Sequence, residues 1–249
     1  MGNGAACNNP RNVFRLARRA QSLKPCSMTR SSALSPSLTQ TTVRERSAGA
    51  PRRASTGQIL HAAEREFGRD GYKGASMSAI AAAAGLPKAN IHYYFGTKED
   101  LYRAVLENIL DNWLGDATVW IHAGASPRAA LEGYVRAKIA FSRDRPDASR
   151  IFAHEVLQGA PNIQTYFNSA LRQHVQTLED VFRIWQRSGQ MRLINGSHLM
   201  FCIWAMTQTY ADMSAQIGAV LGRATLAPHD YDDAASTIIA LVLNGIETN

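Results

Sequence analysis

Cysteine is nearly absent from this chain. Three residues, Cys7, Cys26 and Cys202, stand among 249, an odd number without the paired spacing of a disulfide framework or a zinc site. No apolar run approaches the ~20 residues that a bilayer-spanning helix needs. Nor does an apolar core follow the early arginines, as a secretory leader requires. Sustained alternation of β-branched residues is missing too, so a sheet has no basis and an all-α fold is expected. There is no nucleophile elbow, glycine-rich phosphate loop or metal-ligand spacing. The titratable pairs His154-Glu155 and Asp232-Asp233 are adjacent residues, which point different ways on a helix. Enzyme, metalloprotein and membrane readings all lose their support. A cytosolic protein with no catalytic residue, metal or cofactor remains.

Acid is missing from one region in particular. Residues 1–55 hold ten Lys and Arg side chains against a single acid, Glu45, a surplus of nine. The whole chain carries +7, so residues 56–249 together carry −2. The basic excess that suggests nucleic acid therefore lies wholly in the first 55 residues. They are rich in Arg, Ser, Thr and Pro and poor in bulky apolar side chains. Burial there cannot offset ordering entropy, and a disordered basic arm is expected over 1–55. Such an arm adds sequence-independent phosphate contacts. Its composition also fits an organelle transit peptide, or translation that starts downstream, for example at Met28.

What is present begins at residue 56. A helix is expected from about Thr56 to Arg69, with Ile59, Leu60, Ala63 and Phe67 as its apolar stripe. Gly68, Gly71 and Gly74 punctuate the loop that follows. Ser76 stands where an N-cap belongs, but Ala79 occupies the position where an acid would complete the capping box. Ile80, Ala83 and Ala84 share a face of the helix so begun. It meets Gly85, which tolerates φ > 0 and turns the chain. After Leu86 and Pro87, with the proline at a first helical position, a second short helix places Ile91 and Phe95 inward. Its other face shows Lys88, Ala89, Asn90, His92 and Tyr93. Two short helices joined by a glycine turn form a helix-turn-helix within residues 56–103. The outer face offers a major groove a cation for phosphate or guanine, an amide for adenine and a small residue for close approach.

The string from Gly85 to Leu101, GLPKANIHYYFGTKEDL, resembles the signature of the tetracycline-repressor (TetR/AcrR) family of bacterial regulators. So does the run from Ile59 through Phe67, Gly71, Tyr72 and Ser76 to Ala84. The family is bacterial, which weighs against a transit peptide. Its pattern differs at Pro87, where a capping serine is usual. The resemblance implies a regulator, mostly a repressor, that binds a palindromic double-stranded DNA operator as a homodimer. It implies DNA contacts from Ser76, Ser78, Lys88, Ala89, Asn90 and His92, with Tyr93 and Lys98 on phosphates.

Residues 104–249 read as a larger helical domain for effector binding and dimerisation. Thr97 caps a long helix from Lys98 to about Ile121, with Leu101, Val105, Leu106, Ile109, Trp113 and Leu114 at helical spacing. Ser126-Pro127 opens another helix through Phe141. The pattern breaks over Asp144 to Asp147 and resumes across Ala148–Leu157. Helices over Asn162–Ser188, Gly196–Leu221 and from Tyr231 onward complete the chain, and Cys202 reads as a small core residue.

Within this part, Ile109–Leu114, Ser142–Pro161 and Ile194–Met213 resemble the effector domain of the family's pyrimidine-utilisation regulators. That implies uracil or thymine as effector, with Trp113, Trp204 and Gln208 in the pocket. Indoles offer flat apolar faces to a planar ring, and a Gln amide matches the alternating N–H and C=O edge of a pyrimidinedione. The alternatives are that both tryptophans are ordinary core, that the effector is another small molecule, or that the protein is a non-specific architectural binder. Lys98 and Trp113 are fifteen residues apart, ~22 Å along one helix. A ligand that tilts that helix moves the reading head. By resemblance, the dimer interface is a four-helix bundle from residues 197–220 and 231–247.

Overall fold

The computed structural model describes residues 49–247, with side chains from residue 54 onward. The arm expected over residues 1–55 lies, up to residue 48, outside the described residues. Every regular element among the described residues is helical.

The first helix, α1 (Gly49–Gly74), begins seven residues before the expected Thr56. Pro51 falls in its first turn, where the missing N–H costs no hydrogen bond. The expected three-glycine loop reduces to one break at Gly71 (φ 69°, ψ 173°). Gly68 stays helical, and its lack of a side chain serves packing: a Cβ there would sit 2.5 Å from Asp147 Cβ.

Ser76 caps α2 (Met77–Ala84) by accepting from the Ala79 N–H at 3.1 Å. Gly85 ends that helix in the left-handed region at φ 64°. The buried stripe is Met77, Ile80 and Ala81, with Ala84 at its edge; Ala83, expected inward, is exposed. The inward set follows i, i+3, i+4, i+7 from Met77 rather than from Ile80.

Pro87 (φ −58°, ψ 141°) precedes α3 (Lys88–Phe95) instead of occupying its first turn. The carbonyl of Pro87 accepts from the Asn90 N–H at 2.9 Å, so the proline supplies backbone rather than side-chain capping.

A full capping box between Thr97 and Asp100 starts α4 (Lys98–Trp120). Next come α5 (Pro127–Asp144), capped by Ser126, and α6 (Pro146–Leu157), with Arg145 alone between them. The single helix expected over 162–188 is interrupted: α7 (Gln164–Tyr166) runs into a π-turn (Phe167–Leu171) and then α8 (Arg172–Arg187). The helix expected over 196–221 divides at Met213 (φ −112°, ψ 25°) into α9 (Gly196–Asp212) and α10 (Ser214–Val220). The last helix, α11 (Pro228–Ile246), starts three residues before the expected Tyr231, on a proline suited to a first turn.

Two apolar clusters hold these helices. One joins α1–α4 to Ala148 and Ile151 of α6 and to the turn residues Ala160 and Ile163. The other joins α5, α8, α9 and α11. Helix α4 enters both, with Leu101 through Trp113 in the first and Ala117 in the second. Because α6 packs along α1, the first cluster reaches well beyond the first four helices. Cys202 is exposed, contrary to the core role expected of it. It follows the half-exposed Phe201 on an outward face of α9, while Leu199, Met200 and Ile203 turn inward.

Candidate functional site

The outer surface of α2 and α3 has a simple origin. Ile91 is the only fully buried residue of α3, and Tyr94 and Phe95 pack half-buried against the same cluster, so the polar side chains of the helix stay on its outer side. Ser78, Lys88 and Ala89 are exposed, Asn90 is half-buried, and Tyr93 is 76% exposed with its ring edge-on to Tyr94. Ser76 spends its hydroxyl oxygen on the α2 cap. His92 Nδ1 lies 2.8 Å from the Gly96 carbonyl. A carbonyl only accepts, so Nδ1 carries the proton. Lys98 is engaged within the protein: its ammonium donates to the Lys73 carbonyl at 3.3 Å and lies 4.8 Å from the Tyr72 ring centroid. A cation at the C-terminal end of α1 also meets the negative end of that helix dipole.

The second constellation surrounds a cavity of about 50 Å³. A water needs ~10–15 Å³ on this measure, so the space is on the order of three to five waters. Trp113 of α4 and Trp204 and Gln208 of α9, far apart in sequence, all line it, with Tyr134 and Lys138 of α5 and His174 of α8. Trp113 is 6% exposed and stands edge-on to Phe141 (5.4 Å) and Phe152 (4.7 Å). Its indole N–H is buried without a hydrogen-bond partner. Trp204, by contrast, donates its N–H to the Tyr134 hydroxyl at 2.8 Å. Burial pushes the Tyr134 phenol well above its ordinary value, which keeps it neutral.

Lys138 is 2% exposed. Its ammonium lies 3.9 Å from the Trp113 ring centroid, over the electron-rich face of the indole. Burial brings its pKa down to about 7, against the opposing pull of Asp116 and Asp212. Those two carboxyls are themselves pushed up by burial. Burial also lowers His174, which leaves the imidazole neutral at pH 7, and its Nε2 has no partner.

A chain of contacts leaves this cavity toward α1. The Phe141 ring that meets Trp113 lies 4.8 Å from the Arg145 guanidinium carbon. Arg145 in turn grips the buried Glu64 of α1 with two nitrogens, Nε to Oε1 at 3.2 Å and Nη2 to Oε2. The pair His154-Glu155 does other work: the Glu155 carboxylate is buried and accepts from the backbone and side chain of Asn162.

Sequence reasoning missed Tyr134, Lys138 and His174. A signal was available. Lys138 falls in register with Leu131, Tyr134 and Val135 at i−7, i−4 and i−3, on the buried face of α5. His174 likewise precedes Leu178, Val181 and Trp185 on the buried face of α8.

Residues 59–105 match the family of bacterial regulatory proteins described as the tetR family, and residues 106–249 match the C-terminal region of YcdC-like proteins. Among curated proteins, the HTH-type transcriptional regulator RutR of Escherichia coli K12 is 37% identical over 188 residues, 76% of this chain and 88% of RutR. The HTH-type transcriptional regulator BetI of Rhizobium meliloti is 34% identical over 87 residues, 35% of this chain and 42% of BetI. Among solved structures, the ketosteroid transcriptional regulator KstR2 of Mycobacterium tuberculosis superposes with a TM-score of 0.59 at 19% identity, covering 78% of this chain and 95% of KstR2. AibR, solved with isovaleryl coenzyme A and operator DNA, gives 0.58 at 20% identity, covering 75% and 97%. At those identities the likeness shows the fold alone.

Proposed function

Because this chain belongs to the TetR family of bacterial regulators, we propose that it is a homodimeric repressor released from a palindromic operator by uracil or thymine. The chain is a ligand-responsive transcriptional regulator related to RutR, and not an enzyme. The ligand reading is supported above all by the convergence of Trp113, Trp204 and Gln208 on one cavity, and Trp113 carries a buried indole N–H with no partner. A planar ring takes its stacking from the indoles and its edge contacts from the Gln208 amide.

DNA is read by the outer residues of α2 and α3, with Lys88, Ala89, Asn90 and His92 toward the groove and Tyr93 toward a phosphate. Lys98 reaches a phosphate by leaving the Lys73 carbonyl, an exchange of one oxygen partner for a charged one. Two such heads must stand about 34 Å apart to enter successive major grooves. Effector binding acts on that spacing by two routes. One is α4 itself, with Trp113 at the cavity and Lys98 ~22 Å away along the same rod. The other runs from Trp113 through Phe141 and Arg145 to Glu64 of α1. The coupling is reciprocal, so operator binding lowers effector affinity by the same factor.

The second copy docks on α9–α11. Phe201, Met213, Val220, Leu221 and Leu241 in this stretch are large apolar side chains left exposed, which a second copy would cover. Calorimetry of the full chain with uracil and thymine, followed by operator release in a gel-shift titration, tests the reading. No heat and no release at millimolar pyrimidine would overturn the ligand and leave the regulator.

A further inference from the structure

We propose that Lys138, together with the indole N–H of Trp113, is a binding group of the effector cavity that takes an oxygen on the edge of the planar ligand. The inference rests on the reading that this cavity holds the effector, and it adds what that ligand must carry: a carbonyl or carboxylate oxygen.

Three observations support it. Lys138 is a lysine buried almost completely at a cavity wall, where an ammonium loses most of its hydration. The indole face below it, at 3.9 Å, replaces only part of that loss. Beside it, the Trp113 N–H is a second donor with nothing to donate to. Two neighbouring donors lining one cavity define a complementary acceptor, and a neutral hydrocarbon ring does not supply one. His174 also lines the cavity, and its Nε2 is unpartnered.

The electrostatics add a consequence. The charges that act on Lys138 are Asp116 of α4 and Asp212 at the end of α9. Arg145 in turn acts on Asp116, and Arg150 acts on Asp212, which also accepts from Ser149 of α6. With that surround, burial sets the Lys138 pKa at about 7 in the free protein. A ligand oxygen against the ammonium favours the charged form and raises that pKa. The complex then holds a proton that part of the free protein has lost, so binding takes up protons at and above neutrality. Affinity is full below about pH 7 and falls as pH rises through that value, by up to about tenfold per unit.

The test is calorimetry on the full chain in two buffers of different ionisation heat, between about pH 6 and 8. The ligands are uracil, benzoate (a planar ring with an anionic oxygen) and pyrimidine (the parent ring without oxygen). The proteins are the wild type, Lys138→Met and Lys138→Gln, with a thermal melt to show that each variant is folded. Uracil should bind the wild type with proton uptake, and pyrimidine about tenfold more weakly or worse. Both variants should bind uracil about tenfold or more weakly, with no proton uptake and no pH dependence. Uracil that binds variants and wild type alike overturns the role of Lys138 and leaves the pyrimidine reading standing. Benzoate bound with a Lys138-dependent proton, while uracil fails, upholds Lys138 and overturns the pyrimidine. No binding of any ring at millimolar concentration overturns both.

Discussion

Gln208 and Asn90 sit at opposite ends of the mechanism and make opposite demands. Gln208 is half-buried on the cavity wall, so its amide is expected to be desolvated by a bound ring. Gln208→Ala should therefore weaken uracil by ~1–3 kcal/mol in calorimetry, the cost of a buried polar partner left unpaired; an unchanged affinity removes it from the site. Trp204→Ala is a blunter change. It opens a cavity and strips the Tyr134 hydroxyl of its donor, and large core truncations cost ~3–5 kcal/mol of stability. Asn90→Ala should lower operator affinity by ~1–3 kcal/mol and relax preference at one base pair. Binding to a set of single-base operator variants checks that. At this scale legibility was uneven. Trp113, Trp204 and Gln208 were legible because their segments resemble known ones. Lys138 and His174 were not, because a single charged residue in an amphipathic pattern reads as solvated until the burial of its face is known. Cys202 fails the other way: its apolar segment reads as inward, whereas α9 leaves Phe201 and Cys202 outside.

Among the elements, α4 contributes to both apolar clusters, while α1 and α6 pack together in the first. Arg145 and Glu64 tie α6 to α1, with Glu64 buried and Arg145 partly so. Arg145→Ala strands a buried carboxylate and should cost on the order of 3 kcal/mol of stability. The exposed α5 pair of Arg136 with Glu132 provides the contrast, and Arg136→Ala should cost less than ~1 kcal/mol. Paired thermal or urea melts separate the two, and equal losses would remove the special standing of the α1–α6 link. Gly68→Ala probes the same junction. A methyl 2.5 Å from Asp147 Cβ must part α1 from α6, so the change should destabilise by ~1–3 kcal/mol although alanine is the better helix former. Helices were legible from apolar spacing, and several of their ends from the caps at Ser76, Gly85, Thr97 and Ser126, but the start of α1 and the breaks within the later helices were not. Gly68 looked like loop because its reason to be glycine is another helix. The π-turn at Phe167–Leu171 and the break at Met213 leave periodicity almost untouched and so leave no trace in it.

For the whole molecule, the charge distribution and the apolar faces pull in one direction. Residues 56–249 carry a net −2, so operator affinity in this part rests on placed side chains rather than on a basic field. Two placed heads require a dimer of fixed spacing. Leu241, 62% exposed on α11, is a position where an introduced carboxylate should block the second copy. Leu241→Asp should sediment as a monomer and lose operator affinity, and a dimer by sedimentation would move the interface elsewhere. The central claim is that a planar ring in the α4–α9 cavity releases the operator, and anisotropy of a labelled operator bound to the full chain tests it most directly. Titrating uracil should return the wild-type signal to that of free DNA over the range in which calorimetry shows binding. With Gln208→Ala the same curve should shift about tenfold or more toward higher uracil. An operator that stays bound at millimolar uracil and thymine would contradict the account.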